Sequence, residues 1–317
     1  MDATVPGISL SLVPEERRGF VYGLAAYLIW GLFPLYWKLL EHSGAIEVLA
    51  HRVIWSMVTV ALLVVVLRKF GTVKAVLREP RRRWRLIAAA VLISVNWGTY
   101  IWGVHNNRVV ETSLGYFITP LFTVLLGVLV LKERLRGVQW TALAIAFAAV
   151  IGLTIENGRP PWVAIVLTFS FGLYGLAKKQ AGAGAVEGMA IETATVAPVA
   201  LAAIVVLGLQ GQSTVADHGA GYLAVVMLAG PITSLPLMLF GAASTRMSMT
   251  TLGLLNYITP SMQFALAVLL FHEAMSPMRW AGFGLVWLAL VIFTWDSMVQ
   301  RRRIQSLERA ALTASAV

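Results

Sequence analysis

The sequence predicts an all-α integral membrane protein of ten transmembrane helices, arranged as two inverted five-helix repeats. Three observations carry this. Of the 317 residues 58% are hydrophobic and only 13% charged. The apolar residues come in blocks of about the roughly 20 residues that a spanning helix needs. And the second half of the chain repeats the first at an offset of 140 residues, as the alignment below shows.

A soluble domain carries nearly twice this share of charge. Residues 112–131 hold no charged side chain, and 188–207 hold only Glu192. In hydrocarbon every backbone N–H and C=O must be paired within the protein, which leaves helices or closed barrels. A barrel would show period-two alternation over strands of about 10 residues, and the blocks lack it. The chain has no cysteine, which excludes disulfides and thiolate metal sites but does not fix a compartment. The first apolar block follows Arg17-Arg18 and runs over 19–40. It is longer than a signal-peptide core and lacks a small-residue cleavage site, so it reads as a retained helix.

Ten blocks follow in order: 19–40, 45–67, 86–105, 112–131, 138–155, 162–180, 187–208, 220–243, 249–271 and 279–298. The connections are short, apart from the basic run 68–85, which holds eight Lys and Arg residues. With the N-terminus cytoplasmic, twenty of the twenty-five Lys and Arg residues fall on the cytoplasmic side. Lys38, Arg108, Arg159 and Arg279 fall outside, and Arg52 lies within a helix. That asymmetry is the positive-inside pattern, with both tails cytoplasmic and an even number of spans. The net charge of +10 is therefore mainly topological, with some attraction to anionic lipid headgroups, and nucleic acid is not an expected partner.

Residues 116–154 align without a gap on 256–294, with ten of thirty-nine positions identical. Among them are Thr119/Thr259, Pro120/Pro260, Glu133/Glu273 and Trp140/Trp280. Glu47/Glu187 and Ala50/Ala190 match at the same offset. The expected organisation is a polar tail at 1–18, a first repeat at 19–158, a second at 159–298 and a basic tail at 299–317. Five helices per half is an odd number, so the second half must cross the membrane inverted. Inverted halves that exchange conformations open a central site to one side and then the other.

No motif for catalysis or nucleotide hydrolysis emerges. There is no G-x-x-x-x-G-K-[ST] loop. His272-Glu273 begins like HExxH, but Ser276 stands where the second histidine belongs. G-x-S-x-G is absent as well. The expectation is a non-enzyme with no cofactor and no metal. The candidate site residues are polar or aromatic groups inside apolar blocks, where ionisable groups are costly and usually face a cavity or a partner. His51 and Arg52 lie one to two turns into the second block. Arg52 either snorkels to the interface or offers a fixed charge to an anionic substrate. Its counterpart at offset 140 is Glu192, a gate element or a helix pin. Asn96 and Tyr100, with Gly103 and Asn107, share one helix face, suited either to a substrate pathway or to interhelical hydrogen bonds. Asn256, Tyr257 and Gln263 bring similar chemistry to the ninth block. Trp30, with Trp55 and Trp97, lies too deep for an interfacial belt, whereas Trp37 and Trp102 fit one. Pro120 and Pro260 read as paired hinges, since proline removes a helix hydrogen bond and permits a bend.

The segments LAAYLIWGLFP (24–34), LAHRVIWS (49–56), NWGTYIWGV (96–104), ETSLGYFITPL (111–121), FSFGLYGLAKK (169–179), IET (191–193) and TTLGLLNYITP (250–260) resemble RarD-type proteins. These form part of the EamA-like branch of the drug/metabolite transporter superfamily. The resemblance runs in order from about residue 19 to residue 300. It implies ten helices in inverted halves, a central cavity and the bacterial inner membrane. The stretch His105-Asn106-Asn107-Arg108 departs from the usual pattern there. The expected function is secondary-active transport of small metabolites or drugs, with export as the family's common direction. A coupling proton or ion and the surrounding lipids are the expected partners. A lipid or isoprenoid flippase is the alternative, and a non-transporting scaffold a more distant one.

Overall fold

A computed structural model describes residues 12–270, except 107, 158–161 and 216, together with scattered positions between 277 and 299. Glu273, Arg159, Arg279, Asn107 and the outer parts of both tails, on which some expectations fell, lie outside the described residues. Every described element is helical: α1 (Leu12–Gly31), α2 (Phe33–Lys38), α3 (Ala45–Val66), α4 (Phe70–Arg78), α5 (Pro80–His105), α6 (Val109–Leu129), α7 (Gly137–Asn157), α8 (Trp162–Ala181), α9 (Ala185–Leu209), α10 (Gly219–Ser244), α11 (Met249–Asn256) and α12 (Ile258–Leu269). Helical residues recur between 277 and 299. Among the described residues, five stretches are long and apolar enough to cross a membrane: Glu15–Lys38, Ala45–Val66, Pro80–Gly103, Ala185–Leu209 and Gly219–Ser244.

Proline explains the breaks. Pro34 sits in the first turn of α2, and its missing N–H leaves the Trp30 carbonyl without its i+4 donor. The Gln263 amide donates to that carbonyl at 3.3 Å. α11 and α12 divide at Tyr257, three residues before Pro260. The basic run read as a connection is instead structured. α4 buries Val76 against Leu86, Ala181 and Ile191, and α5 starts at Pro80, a residue preorganised for a first helical turn.

The two halves pack on each other rather than side by side. α5 packs on α8 and α10 on α1; α3 packs on α10 and α9 on α5; α3 meets α9 and α6 meets α11. Exchanging the halves maps each of these contacts onto another or onto itself. Helix starts keep the 140-residue spacing: Ala45 and Ala185, with Gly44 and Gly184 as N-caps. Close crossings need glycine. A Cβ on Gly230 would meet the Trp55 carbonyl, and one on Gly253 would stand 2.8 Å from the Pro120 carbonyl.

Three glutamates tie the halves at their ends. Glu47 accepts from Ser213 Oγ at 2.7 Å and from the Thr214 N–H at 3.0 Å, in the loop after α9. Glu187 accepts from Thr72 Oγ1 at 2.9 Å and pairs with Lys69 Nζ at 3.1 Å, in the segment after α3. The two contacts are reciprocal. Glu133 accepts from the Met249 and Thr250 N–H groups at 2.7 and 2.9 Å. It thereby caps α11, where free N–H groups and the helix dipole favour a carboxylate.

Candidate functional site

A cavity of about 400 Å³ lies between the halves, within the size range of small-molecule sites. Its walls are aromatic: Trp30, Trp37, Trp97, Tyr100, Tyr116 and Phe171 all face it. Its polar groups come from Lys38, Arg52, Asn96, Thr119, Asn256 and Gln263, among others. Among the described residues no Asp or Glu lines it. Three pairs of lining positions are related by the 140-residue offset: Trp97 with Leu237, Tyr116 with Asn256, and Thr119 with Thr259.

Tyr116 and Asn256 stand four residues before Pro120 and Pro260, so each proline deprives one cavity-lining residue of its backbone partner. The two predicted hinges thus sit beside the cavity wall, and Pro120 belongs to an unbroken α6.

Arg52 projects from α3 into the cavity. Its guanidinium carbon lies 4.5 Å from the Trp37 ring centre and 4.4 Å from that of Trp97, and Nε donates to Thr233 Oγ1 at 3.1 Å. Two indole faces stabilise the cation through their quadrupoles. The terminal nitrogens have no hydrogen-bond or ion-pair partner among the described residues. Arg52 is therefore held by the tryptophans inside the cavity, rather than reaching for an interface.

Asn96 also lines the cavity, but its Nδ2 is committed. It donates to the Leu167 carbonyl and to Ser170 Oγ, both at 2.9 Å, tying α5 to α8. Tyr100 faces the cavity with its ring 6.0 Å from that of Tyr116. Gly103, on the same helix face, packs closely against Thr112 and Val163 instead. Trp30 and Phe171 form one wall, and behind them Tyr27, Tyr174 and Phe240 complete an aromatic cluster with ring centres 5.5 to 6.2 Å apart.

Three sequence candidates do not line the cavity. His51 is half-buried on α3 next to Arg52 and is not among the residues that line the cavity. Tyr257 adjoins Asn256 at the break between α11 and α12 and is likewise outside the lining. It is buried in an apolar setting beside Pro120, Val124 and Leu254. Glu192 lies beyond the aromatic cluster. It accepts from Lys178 Nζ at 2.5 Å and from the Tyr174 hydroxyl at 3.2 Å, and both charged side chains are only 4% exposed. Gly241 and Gly188 leave room for the lysine.

The sequence reading missed Trp37, Tyr116, Lys38 and Lys178. Trp37 passed for a belt residue and Lys178 for a helix-end charge. The repeat held the signal: subtracting 140 from Lys178 and Glu192 gives Lys38 and Arg52.

The EamA-like transporter family matches residues 17–155. A protein RarD of Streptomyces exfoliatus is 52% identical over 303 residues, covering 95% of this chain and 96% of that relative. An uncharacterized transporter of Pseudomonas aeruginosa is 41% identical over 91% of this chain and 97% of its own length. Protein RarD of Escherichia coli is 37% identical over 91% and 98% respectively. A crystal structure shares the fold with a TM-score of 0.66 at 17% identity, over 86% of this chain and 96% of that one. Apolar helices packed around an aromatic cavity, together with identities of this extent, place the chain in the EamA-like transporter family as a RarD-type protein, a multi-pass membrane transporter of the drug/metabolite kind.

Proposed function

We propose that the chain is a secondary-active transporter that moves one small organic solute by alternating access around the 400 Å³ cavity. Ten spans in two inverted five-helix halves, 19–158 and 159–298, form the moving parts, with both tails on the cytoplasmic side of a bacterial inner membrane. A proton or ion gradient supplies the energy, and export is the direction. The observation that supports this best is the reciprocity of packing. The contacts α5 on α8 and α10 on α1 exchange when the halves exchange, and such a pair of bundles has two equivalent ways to rock about a shared site. Pro120 and Pro260 weaken the two helices that meet at the cavity and let them bend.

In the present conformation the cavity reaches Lys38 at the end of α2. The opposite side is closed by the aromatic cluster and, behind it, by the Lys178–Glu192 pair. A polar lining that includes Arg52, Asn256 and Gln263 suits a water-soluble solute better than a lipid tail.

The natural absence of cysteine makes the test direct. Gln263→Cys places a single thiol on the cavity wall. In right-side-out and inside-out vesicles, an impermeant maleimide should label it from both sides. Labelling confined to one side, under all conditions that preserve the fold, would refute alternating access.

A further inference from the structure

We propose that the solute is a small organic carboxylate with a flat apolar body, and that its negative charge completes the gate on the Lys38 side. This rests on the transport reading above. Two independent observations lead to it.

The first is the chemistry of the wall. Arg52, which lines the cavity, lies over the Trp37 and Trp97 rings at 4.5 and 4.4 Å, and only its Nε is engaged by a hydrogen-bond partner among the described residues. A guanidinium edge offers two parallel N–H donors, the fork that fits a carboxylate. Tryptophan, tyrosine and phenylalanine faces surround it and suit a planar body. Among the described residues no carboxylate lines the cavity to repel an anion or to recognise an ammonium group. Many neutral donors are already used: Asn96 on the Leu167 carbonyl and Ser170, Gln263 on the Trp30 carbonyl. A phosphate dianion needs more donors than such a wall provides to offset its lost hydration, whereas a monocarboxylate is matched by one fork.

The second observation is the unequal charge of equivalent positions. In the second half, Lys178 and Glu192 meet and seal one side with a buried ion pair. Their mates in the first half, Lys38 and Arg52, are both cations, and both line the open cavity. Closing that side in the equivalent way brings two positive charges together in a low-dielectric setting, where like charges repel strongly. A carboxylate held between them takes the place that Glu192 fills in the other half. Closure then follows binding, because the ligand interacts better with the closed state than with the open one.

The test uses the purified full-length chain and four probes of similar size: 3-phenylpropionate, its amide, phenethylammonium and phenyl phosphate. Binding is read from thermal stabilisation and from quenching of tryptophan fluorescence. The expected result is saturable binding of 3-phenylpropionate and no binding of the amide or the ammonium. Arg52→Lys should weaken carboxylate binding by about tenfold or more, the scale of one charge-assisted hydrogen bond. Arg52→Glu gives the first half the ion pair that the second half already has, so it should abolish carboxylate binding while raising ligand-free thermal stability. Trp37→Leu should weaken binding without removing it, which guards against a variant that merely misfolds. Equal binding of the amide, tighter binding of phenyl phosphate, or unchanged affinity in Arg52→Lys would each overturn the proposal. If Gln263→Cys labels from both sides but no carboxylate binds, the substrate class falls and transport stands. If the carboxylate binds but labelling stays one-sided, the site stands and transport falls.

Discussion

Removing Glu192 should destabilise the protein far more than removing the Lys178–Glu192 pair altogether. Both side chains are 4% exposed and 2.5 Å apart, with Tyr174 donating to the second carboxylate oxygen. Lys178 is packed against Gly188 and Gly241, with Leu86 adjoining Gly188, so a lone ammonium there has no water to solvate it. Leaving one member of such a pair unmatched costs about 3–5 kcal/mol, whereas an apolar replacement of both is often neutral. Glu192→Leu and Lys178→Met should therefore each cost about 3 kcal/mol or more, and the double variant should lie within about 1 kcal/mol of the parent. Reversible unfolding in mixed micelles, followed by tryptophan fluorescence, gives the three values and the coupling energy by a double-mutant cycle. Single substitutions costing under about 1 kcal/mol, as exposed pairs do, or additive effects in the double variant, would refute the reasoning. The same double variant also tests the gate, since labelling of Gln263→Cys from the Lys178 side should increase once the pair is gone.

Asn96→Leu should lower stability by about 1 kcal/mol, the scale of an interhelical hydrogen bond in membranes, because both of its donor bonds tie α5 to α8. Unchanged unfolding with abolished carboxylate binding would instead make Asn96 a ligand contact. Glu47→Ala and Glu187→Ala should destabilise by similar amounts, about 1–3 kcal/mol each for charge-assisted hydrogen bonds to a loop. A large effect in one and none in the other, again by unfolding in micelles, would contradict the reciprocity of the two contacts.

How much of this was legible follows from what a sequence encodes. Residue type and spacing locate helices, because apolar blocks match the bilayer in length; among the described residues, α1 to α12 overlie the first nine expected blocks apart from the breaks at Leu32 and Tyr257 and the added α4. Residue type also places Arg52, Asn96, Tyr100, Asn256, Gln263 and Trp30 near a cavity, since polar groups in apolar helices turn away from lipid. It does not give the rotation of each helix. His51 and Tyr257 adjoin Arg52 and Asn256 in sequence yet do not line the cavity. Partners distant in sequence are equally hidden. Thr233 and Trp97, which hold Arg52, lie 181 and 45 residues away, and nothing local announces them. α4 was masked by its own charges: Val73 and Val76, three apart among lysines and arginines, form a short apolar face that a count of basic residues overlooks.

What the halves share and where they differ divide the work of the molecule. Shared features are structural: Glu47 and Glu187 bind each other's loops, and Pro120 and Pro260 stand at equivalent positions beside the cavity wall. If every position matched, the two conformations related by exchange of the halves would have equal energy, and neither would respond to a solute. In the gating proposed above, the difference at Lys38/Arg52 against Lys178/Glu192 breaks that equality: one side closes on the Lys178–Glu192 pair, and the other closes on the anion held at Arg52. A ligand shifts a two-state equilibrium only by the difference in its affinity for the two states. An anion clasped by Arg52 gains that difference when the Lys38 side closes over it. A neutral analogue of the same shape binds both states alike and leaves the balance where it was.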